Sequence, residues 1–486
     1  MLPVILPTDI VAWGLLVLLA LAVRHVRRTP ELARRWRLVF ARPAATASAA
    51  VLAVFLFTAL LDSVHWRAEL PPVPDAPAGA PAAYSAEVTS LLDAVLLDGL
   101  KAAGDERSYS RPFARTEFDR TTVVKDGVAV RDYQPLQHAG KLPPWRLRAV
   151  EIARLTLLAC ILGGVTAFLT WIFIALARAR RRNVTFLESL KEMSNRDGGY
   201  PFRPALIVLT LFWLAGVWLA LVWPNWHVMG TDAVGNDVLY EAVKSIRTAV
   251  VIGTLATLAT LPFALTLGIA AGYFRGWVDD VIQYVYTTIS SIPSVLLIAA
   301  SVLMVQVFLD KNPEWYQTSL ERADLRLMLL ALIIGMTGWA TLARLLRAET
   351  MKLSTLDFVT AAKALGVKPF TIMRRHVLPN VLHVVLIVTV LDFSGIVLYE
   401  AVLSYVGVGV DPAMHSFGTM INAARSELSR SPMVWWNLAA SFVFLVAIVL
   451  SANLFASAVR DAFDPRAARR AVLAPAPAKE KPKEGL

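Results

Sequence analysis

Two carboxylates, Asp392 and Glu400, stand two helical turns apart inside an apolar run. A carboxylate at membrane depth costs free energy. It marks a proton relay, a substrate contact, or an interior hydrogen-bond or ion-pair network. Lys244 and Arg247 are the cations that could meet them near the outer face. Asp232 and Asp237 form a second pair, in the loop HVMGTDAVGNDV, where Gly230 and Gly235 suit tight turns and the carboxylates suit side-chain-to-backbone bonds. Two carboxylates alone make a poor calcium site, so no metal is expected. The single cysteine, Cys160, lies in an apolar run and is expected to be a small buried hydrophobe; internal disulfides and thiolate metal cages are excluded. The chain contains no His-Glu-x-x-His, no nucleophile elbow and no Gly-x4-Gly-Lys-Ser/Thr phosphate loop, so it has no site for ATP hydrolysis of that kind.

The elements that must carry these groups follow from composition. Hydrophobic residues make up 56% of the chain and charged ones 17%, and the apolar residues come in long blocks, as in a membrane protein. A span needs about 20 mostly apolar residues. That rule gives about nine spans, near 6–23, 44–62, 151–177, 204–223, 246–271, 284–309, 326–346, 381–406 and 435–457. The net charge of +11 comes without an aromatic-interleaved basic groove, so nucleic acid is not an expected partner. The basic residues instead fall in alternate loops: Arg24 to Arg42, Arg178 to Arg182, and Lys363 to Arg375. By the positive-inside rule this places the N-terminus outside and the C-terminus in the cytoplasm.

Five segments result: an N-terminal transmembrane pair with a basic loop (1–62), an extracytoplasmic lobe (63–150), a further span and cytoplasmic linker (151–203), a six-span core (204–463), and a Pro-, Ala- and Lys-rich tail (464–486) expected to be disordered. The lobe opens with the linker PPVPDAPAGAPAA. Tyr84 to Ala103 then has the pattern of an amphipathic helix, with Val88, Leu91, Leu92, Val95 and Leu96 on one side. Within the core, Gly272 to Asp280 is expected to be a short cytoplasmic turn, and Pro293 to kink the span 284–309.

The longest polar and basic stretch between two spans of the C-terminal half is DFVTAAKALGVKPFTIMRRHVLPN, Asp357 to Asn380. Ala361 and Ala362 lie on a short helix, Gly366 breaks it, Pro369 opens a second helix at its first position, and Leu378-Pro379 closes that helix before the next span. A basic, partly apolar helical elbow at a membrane face is a docking element rather than a catalytic one.

This spacing resembles the EAA loop of binding-protein-dependent ABC importer permeases. Gly338 through Pro379 looks like the C-type permease of the dipeptide/oligopeptide subfamily. Thr360 stands where that loop usually has Glu. The loop His227–Val238, Ser291-Ile292-Pro293, the Glu-Ala-x-Leu-Ser-x-x-Gly-x-Gly run from Glu400 to Gly409, and Arg460 to Arg466 resemble the family as well, together covering about half of the chain. The resemblance implies an all-α integral membrane protein whose last six spans form a type I importer core. It implies a sister permease, two ATPase subunits that bind ATP and Mg, an extracytoplasmic binding protein, and membrane lipid as surroundings. Thr360, Ala361, Ala362, Gly366, Leu378 and Pro379 would shape the coupling loop. Lys368, Arg374 and Arg375 would meet acidic groups of the ATPase or lipid headgroups, and His376 would serve as a pH-sensitive contact or a plain hydrogen-bonding residue. Asp392, Glu400 and Pro293 are candidates for the translocation path. A proton-coupled secondary transporter relaying through Asp392 and Glu400 is the alternative.

Overall fold

The computed structural model describes residues 2–70, 84–97, 106–125, 128–141, 147–194, 202–316 and 318–463. The Pro/Ala-rich linker and the tail after Phe463 lie outside the described residues. In chain order the elements begin with β1 (Leu2–Val4), α1 (Pro7–Arg28), α2 (Pro30–Phe40), α3 (Pro43–Leu61), β2 (His65–Glu69), β3 (Tyr84–Ser90), α4 (Leu91–Leu97), β4 (Thr121–Lys125) and β5 (Val128–Asp132). Next come α5 (Arg148–Arg182), α6 (Phe186–Ser194), α7 (Phe202–Val222), α8 (Val238–Phe274), α9 (Gly276–Ser291), α10 (Ser294–Lys311) and α11 (Ser319–Leu353). The chain closes with α12 (Asp357–Ala364), α13 (Pro369–Ile372), α14 (Leu378–Tyr405), α15 (Phe417–Leu428) and α16 (Trp436–Phe463). Among the described residues nine helices are long and apolar enough to cross a membrane: α1, α3, α5, α7, α8, α10, α11, α13 running into α14, and α16. Helices dominate. The two small sheets, β1-β2-β3 and β4-β5, lie before α5, and β1 pairs antiparallel with β2, which puts the N-terminus on the side of the lobe.

Two parallel helices, α8 and α11, form the centre. Small residues let their backbones approach: a Cβ on Gly335 would stand 2.6 Å from the Ala256 carbonyl oxygen, and one on Gly268 2.8 Å from that of Ala343. Close van der Waals contact of this kind drives helix association where lipid already satisfies apolar surface. α14 and α16 pack beside this pair. The N-terminal helices do not stand apart: α1 packs on α11 and α8, α2 on α16, and α3 on α16, α7 and α8.

Charge ties the helix ends on the lobe's side together. Arg247, 3% exposed on α8, donates from Nη2 to Asp9 Oδ1 (2.8 Å), Thr8 Oγ1 (2.7 Å) and Asp324 Oδ1 (3.1 Å), joining α1, α8 and α11. Thr8 N donates to Asp324 Oδ2 (2.9 Å), and His65 Nδ1 meets Asp9 Oδ2 (2.9 Å). One turn away, Lys244 Nζ donates to Asp62 Oδ1 (2.6 Å) and Asp93 Oδ2 (3.0 Å), while Tyr240 Oη donates to Asp93 Oδ1 (2.7 Å). Lys244 and Arg247 therefore serve the lobe and the first helices, not Asp392 or Glu400, the other carboxylates they could have met. The carboxylates that claim them are distant in the chain and only the fold brings them near. Lower on the lobe, Tyr109 and Phe118 pack into a cluster with Phe417, Met420 and Trp436, and Arg430 pairs with Asp119 (2.9 Å).

His227 completes the attachment. It is 1% exposed and lies between Asp237 Oδ2 (2.7 Å) and Glu106 Oε1 (3.4 Å). Burial works against its charged form, but the two carboxylates outweigh that and lift its pKa to about 9. Burial likewise opposes ionisation of Glu106, yet His227 and the N–H groups of Gln137, His138 and Ala139 hold it at about 2.

Five expectations are corrected. The span 284–309 is two helices: Pro293 has no N–H for the Ile289 carbonyl, so α9 ends and the Pro293 carbonyl accepts from Leu296 and Leu297 (3.0 and 3.1 Å) to open α10. The turn at Gly272 to Asp280 shrinks to Arg275–Gly276, both at positive φ, because helix resumes at once. Tyr84–Ser90 is a strand and only Leu91–Leu97 is helical; pairing with β2 outweighs the helical spacing of Val88 and Leu92, and 98–103 lies outside the described residues. Cys160 is exposed on α5, since only the narrow stripe of Leu155, Ala159, Gly163 and Ala167 is covered there. Leu378-Pro379 opens α14 instead of closing α13. A π turn over Met373–Val377, in which Leu378 N–H bonds Met373 O, makes room for the Pro379 ring and carries one helix into the next.

Two outcomes follow. Asp9→Ala leaves Arg247 short of a partner in a buried site and is expected to cost about 3–5 kcal/mol, read as thermal unfolding in detergent. The His227 contribution is full below pH 6.5, its unperturbed value, and is lost as pH rises through about 9; the Glu106 contribution is full above 4.5 and lost as pH falls through about 2. Hydrogen exchange of the 106–118 backbone, corrected for intrinsic rates, should therefore accelerate between pH 8 and 10 in the native chain but not in His227→Gln, which should be fast throughout.

Candidate coupling elbow and membrane-depth carboxylates

The elbow begins where α11 ends at Ser354 and turns back on itself. On α12, Val359 and Ala362 are buried at 0% and 7% exposure. They join Ile372 and Val377 in one cluster with Ile269 and Tyr273 of α8 and Leu346 of α11, so the elbow is packed on the inner ends of the central pair. The α12 C-terminus is closed by Gly366 at φ +75°: Gly366 N donates to Lys363 O (3.0 Å) and Val367 N to Ala362 O (3.1 Å). A left-handed residue in that place costs least as glycine. Lys363 Nζ lies 4.7 Å over the Tyr273 ring.

The other face of the elbow is open. Thr360 is exposed and bonds only its own helix, Oγ1 to Asp357 O (2.9 Å). Ala361, Lys368, Arg374, Arg375 and Pro379 are exposed; His376 and Leu378 are half-buried, with the His376 ring 6.3 Å from Phe358. Leu365 is 82% exposed and Phe370 69%, and Phe370 rims a cleft of about 430 Å³ with Thr371, Arg374, Arg375 and Pro379. These two apolar side chains were not singled out from the sequence. Their signal was there: large hydrophobes in a polar loop between two spans. Beside the elbow, Arg347 grips Asp279 with two bonds, Nε to Oδ1 (2.5 Å) and Nη2 to Oδ2 (2.6 Å), which ties α9 to α11. Sequence reading missed this pair because 68 residues separate the partners.

The membrane-depth carboxylates part company. Glu400 is 1% exposed and accepts from Ser404 Oγ (2.7 Å), which itself accepts from Val410 N (3.1 Å). Gly409 and Gly418 let the outer loop fold against Ser404, since a Cβ on either would fall within 2.5 Å of it. Asp392 is half-buried on α14, and no described residue forms a hydrogen bond or ion pair with it. Asp232 accepts from Val234 N (2.9 Å) and Asn236 N (2.8 Å), and Asp237 caps α8 through Tyr240 N (3.0 Å). Among the described residues no group of three His, Cys, Asp or Glu side chains could hold a metal ion.

Nine apolar helices among the described residues, a tightly packed parallel pair, and an elbow with exposed apolar side chains describe a polytopic membrane protein. Residues 264–469 match the model of the family described as the binding-protein-dependent transport system inner membrane component. The oligopeptide transport system permease protein OppC of Mycobacterium tuberculosis is 31% identical over 248 residues, 51% of this chain and 79% of that one. The dipeptide transport system permease protein DppC of Lactococcus lactis is 30% identical over 241 residues, 50% of this chain and 64% of that one. The glutathione transport system permease protein GsiD of Pectobacterium atrosepticum is 27% identical over 242 residues, 49% of this chain and 73% of that one. A solved structure of the MetNI methionine ABC transporter covers 46% of this chain and 96% of its own at 16% identity and a TM-score of 0.36, too remote to carry weight. The chain belongs to the binding-protein-dependent transport system inner membrane components: it is a multi-pass inner-membrane permease subunit of an ABC importer.

Gly366→Val is expected to loosen the elbow without a clash, because open space surrounds that position. The left-handed conformation should cost about 1–2 kcal/mol, read as faster amide exchange at Leu365 and Val367, with Gly366→Asn milder.

Proposed function

We propose that this chain is one half of the membrane pathway of an ATP-driven peptide importer and receives force from a separate ATPase through the Asp357–Asn380 elbow. The observation that carries this reading is the two-sided elbow: Val359, Ala362, Ile372 and Val377 are fixed to α8 and α11, while Leu365 and Phe370 project from it. A rigid joint with one apolar face free transmits displacement from whatever seats on that face to the central helix pair. Peptide as cargo is supported by the names of the oligopeptide and dipeptide relatives. The partners are a sister permease, two ATPase subunits that hold ATP and Mg, and an extracytoplasmic binding protein. The basic loops support an N-terminus outside and a C-terminus in the cytoplasm.

The residue roles follow. Ala361, Ala362, Gly366, Leu378 and Pro379 set the shape of the joint; Lys368, Arg374 and Arg375 add charge around the apolar contact; Thr360 leaves the usual Glu interaction unmade. Asp392, unpaired among the described residues, and the break at Pro293 lie on helices that could border the pathway, and Glu400 holds the outer loop. ATP binding must favour one conformation of the assembly for the elbow to move it.

The test is co-purification with ABC ATPase subunits and a sister permease co-expressed with this chain. Leu365→Glu with Phe370→Glu should cut ATPase retention at least tenfold and abolish peptide uptake in proteoliposomes, with thermal stability unchanged. Full retention and uptake in that variant would overturn the assignment.

A further inference from the structure

The lobe carries a hollow of about 590 Å³ lined by Arg111, Arg115 and Arg148, with Thr116, Glu117 and Tyr133. Arg148 Nη1 donates to Phe113 O (3.0 Å), and the Arg111 guanidinium lies 5.1 Å over the Phe118 ring. The Arg111 and Arg148 guanidiniums each carry five N–H donors, more than these contacts use. Glu117 is the one carboxylate in the lining, so the hollow stays positive even when Glu117 is ionised. Two nearby acids are already engaged: Glu106 binds backbone N–H groups and Asp119 pairs with Arg430.

The height of the hollow decides what reaches it. Trp218 Nε1 donates to Thr156 Oγ1 (3.0 Å), so those residues of α7 and α5 are level. Phe113 stacks edge-on against Trp218 at 6.2 Å. α7 ends at Val222, one turn above Trp218, and Ile152 of α5 joins the cluster around Val222. Arg148 is one turn further, the first residue of α5, and with Glu151 and Arg154 it makes up the charged end of that span. Charged residues that close an apolar span meet the headgroup layer. Exposed Leu147 and Val150 flank it, at 71% and 62% exposure. A fork of arginines binds a phosphodiester, and it favours one whose headgroup brings no cation over a zwitterionic one, because the arginines repel the attached ammonium.

We propose that this arginine hollow binds the phosphate of an anionic phospholipid in the leaflet on the lobe's side. The assembled full-length complex, delipidated in detergent, is titrated with phosphatidylglycerol, phosphatidylcholine or inorganic phosphate and followed by native mass spectrometry. Phosphatidylglycerol should be retained in preference to phosphatidylcholine. Arg111→Ala with Arg148→Ala should weaken it about tenfold. Thr116→Glu, which sets a carboxylate at the exposed rim and removes no arginine contact, should do the same without a change in melting temperature. Unchanged phosphatidylglycerol affinity in Thr116→Glu overturns the proposal. So does complete displacement by millimolar inorganic phosphate, which would assign a free-anion site, or tighter binding of a polyglutamate peptide, which would assign an acidic protein partner.

Discussion

Arg247 is a guanidinium closed off from water at the outer end of the longest helix, and its charge is tolerable only because Asp9 and Asp324 are both present. One partner comes from the N-terminal helix and the other from the core, so the ion cluster fixes three helices in relative position before any apolar packing is considered. Lys244 repeats the arrangement with Asp62 and Asp93, and His227 with Asp237 and Glu106. A buried ion pair contributes little net stability but penalises every arrangement that separates its members. The lobe-side face of this chain is held in register by three such penalties.

This changes the meaning of the N-terminal region. An appendage would touch the core through a few exposed contacts. Here α1, α2 and α3 pack on α8, α11 and α16, and Tyr109 and Phe118 enter the same cluster as Phe417 and Trp436. The outer loop of α15 and its flanks are therefore clasped by the lobe. Rigid attachment outside, together with the small-residue contact between α8 and α11, leaves the inner elbow packed on the far ends of the same two helices. Displacement at one end is thus carried by two helices that cannot easily slide past each other, since their glycines bring backbone against backbone.

The elbow itself combines two local rules. Gly366 supplies the left-handed closure of α12, and Pro379 forces a wide π turn rather than a stop. Both are written in single residues, which is why the break at Gly366 and the opening of α13 at Pro369 were legible. The continuation past Pro379 was not, because proline reads locally as a terminator and only the surrounding packing makes a widened turn preferable. The same holds for Tyr84–Ser90, where helical spacing lost to a neighbouring strand.

The sequence alone determined how many times the chain can cross a membrane, which loops are basic and where the elbow begins, because apolar length, charge placement and the special dihedrals of glycine and proline are local properties. It also determined, through its motifs, the permease family. Tertiary structure decided which charges meet. Arg247 and Lys244 could have served Glu400 or Asp392 as far as spacing tells; they serve Asp9, Asp62, Asp93 and Asp324, while Glu400 settles for Ser404. Pairing across hundreds of residues is set by how helices stack, and no window of sequence contains that information.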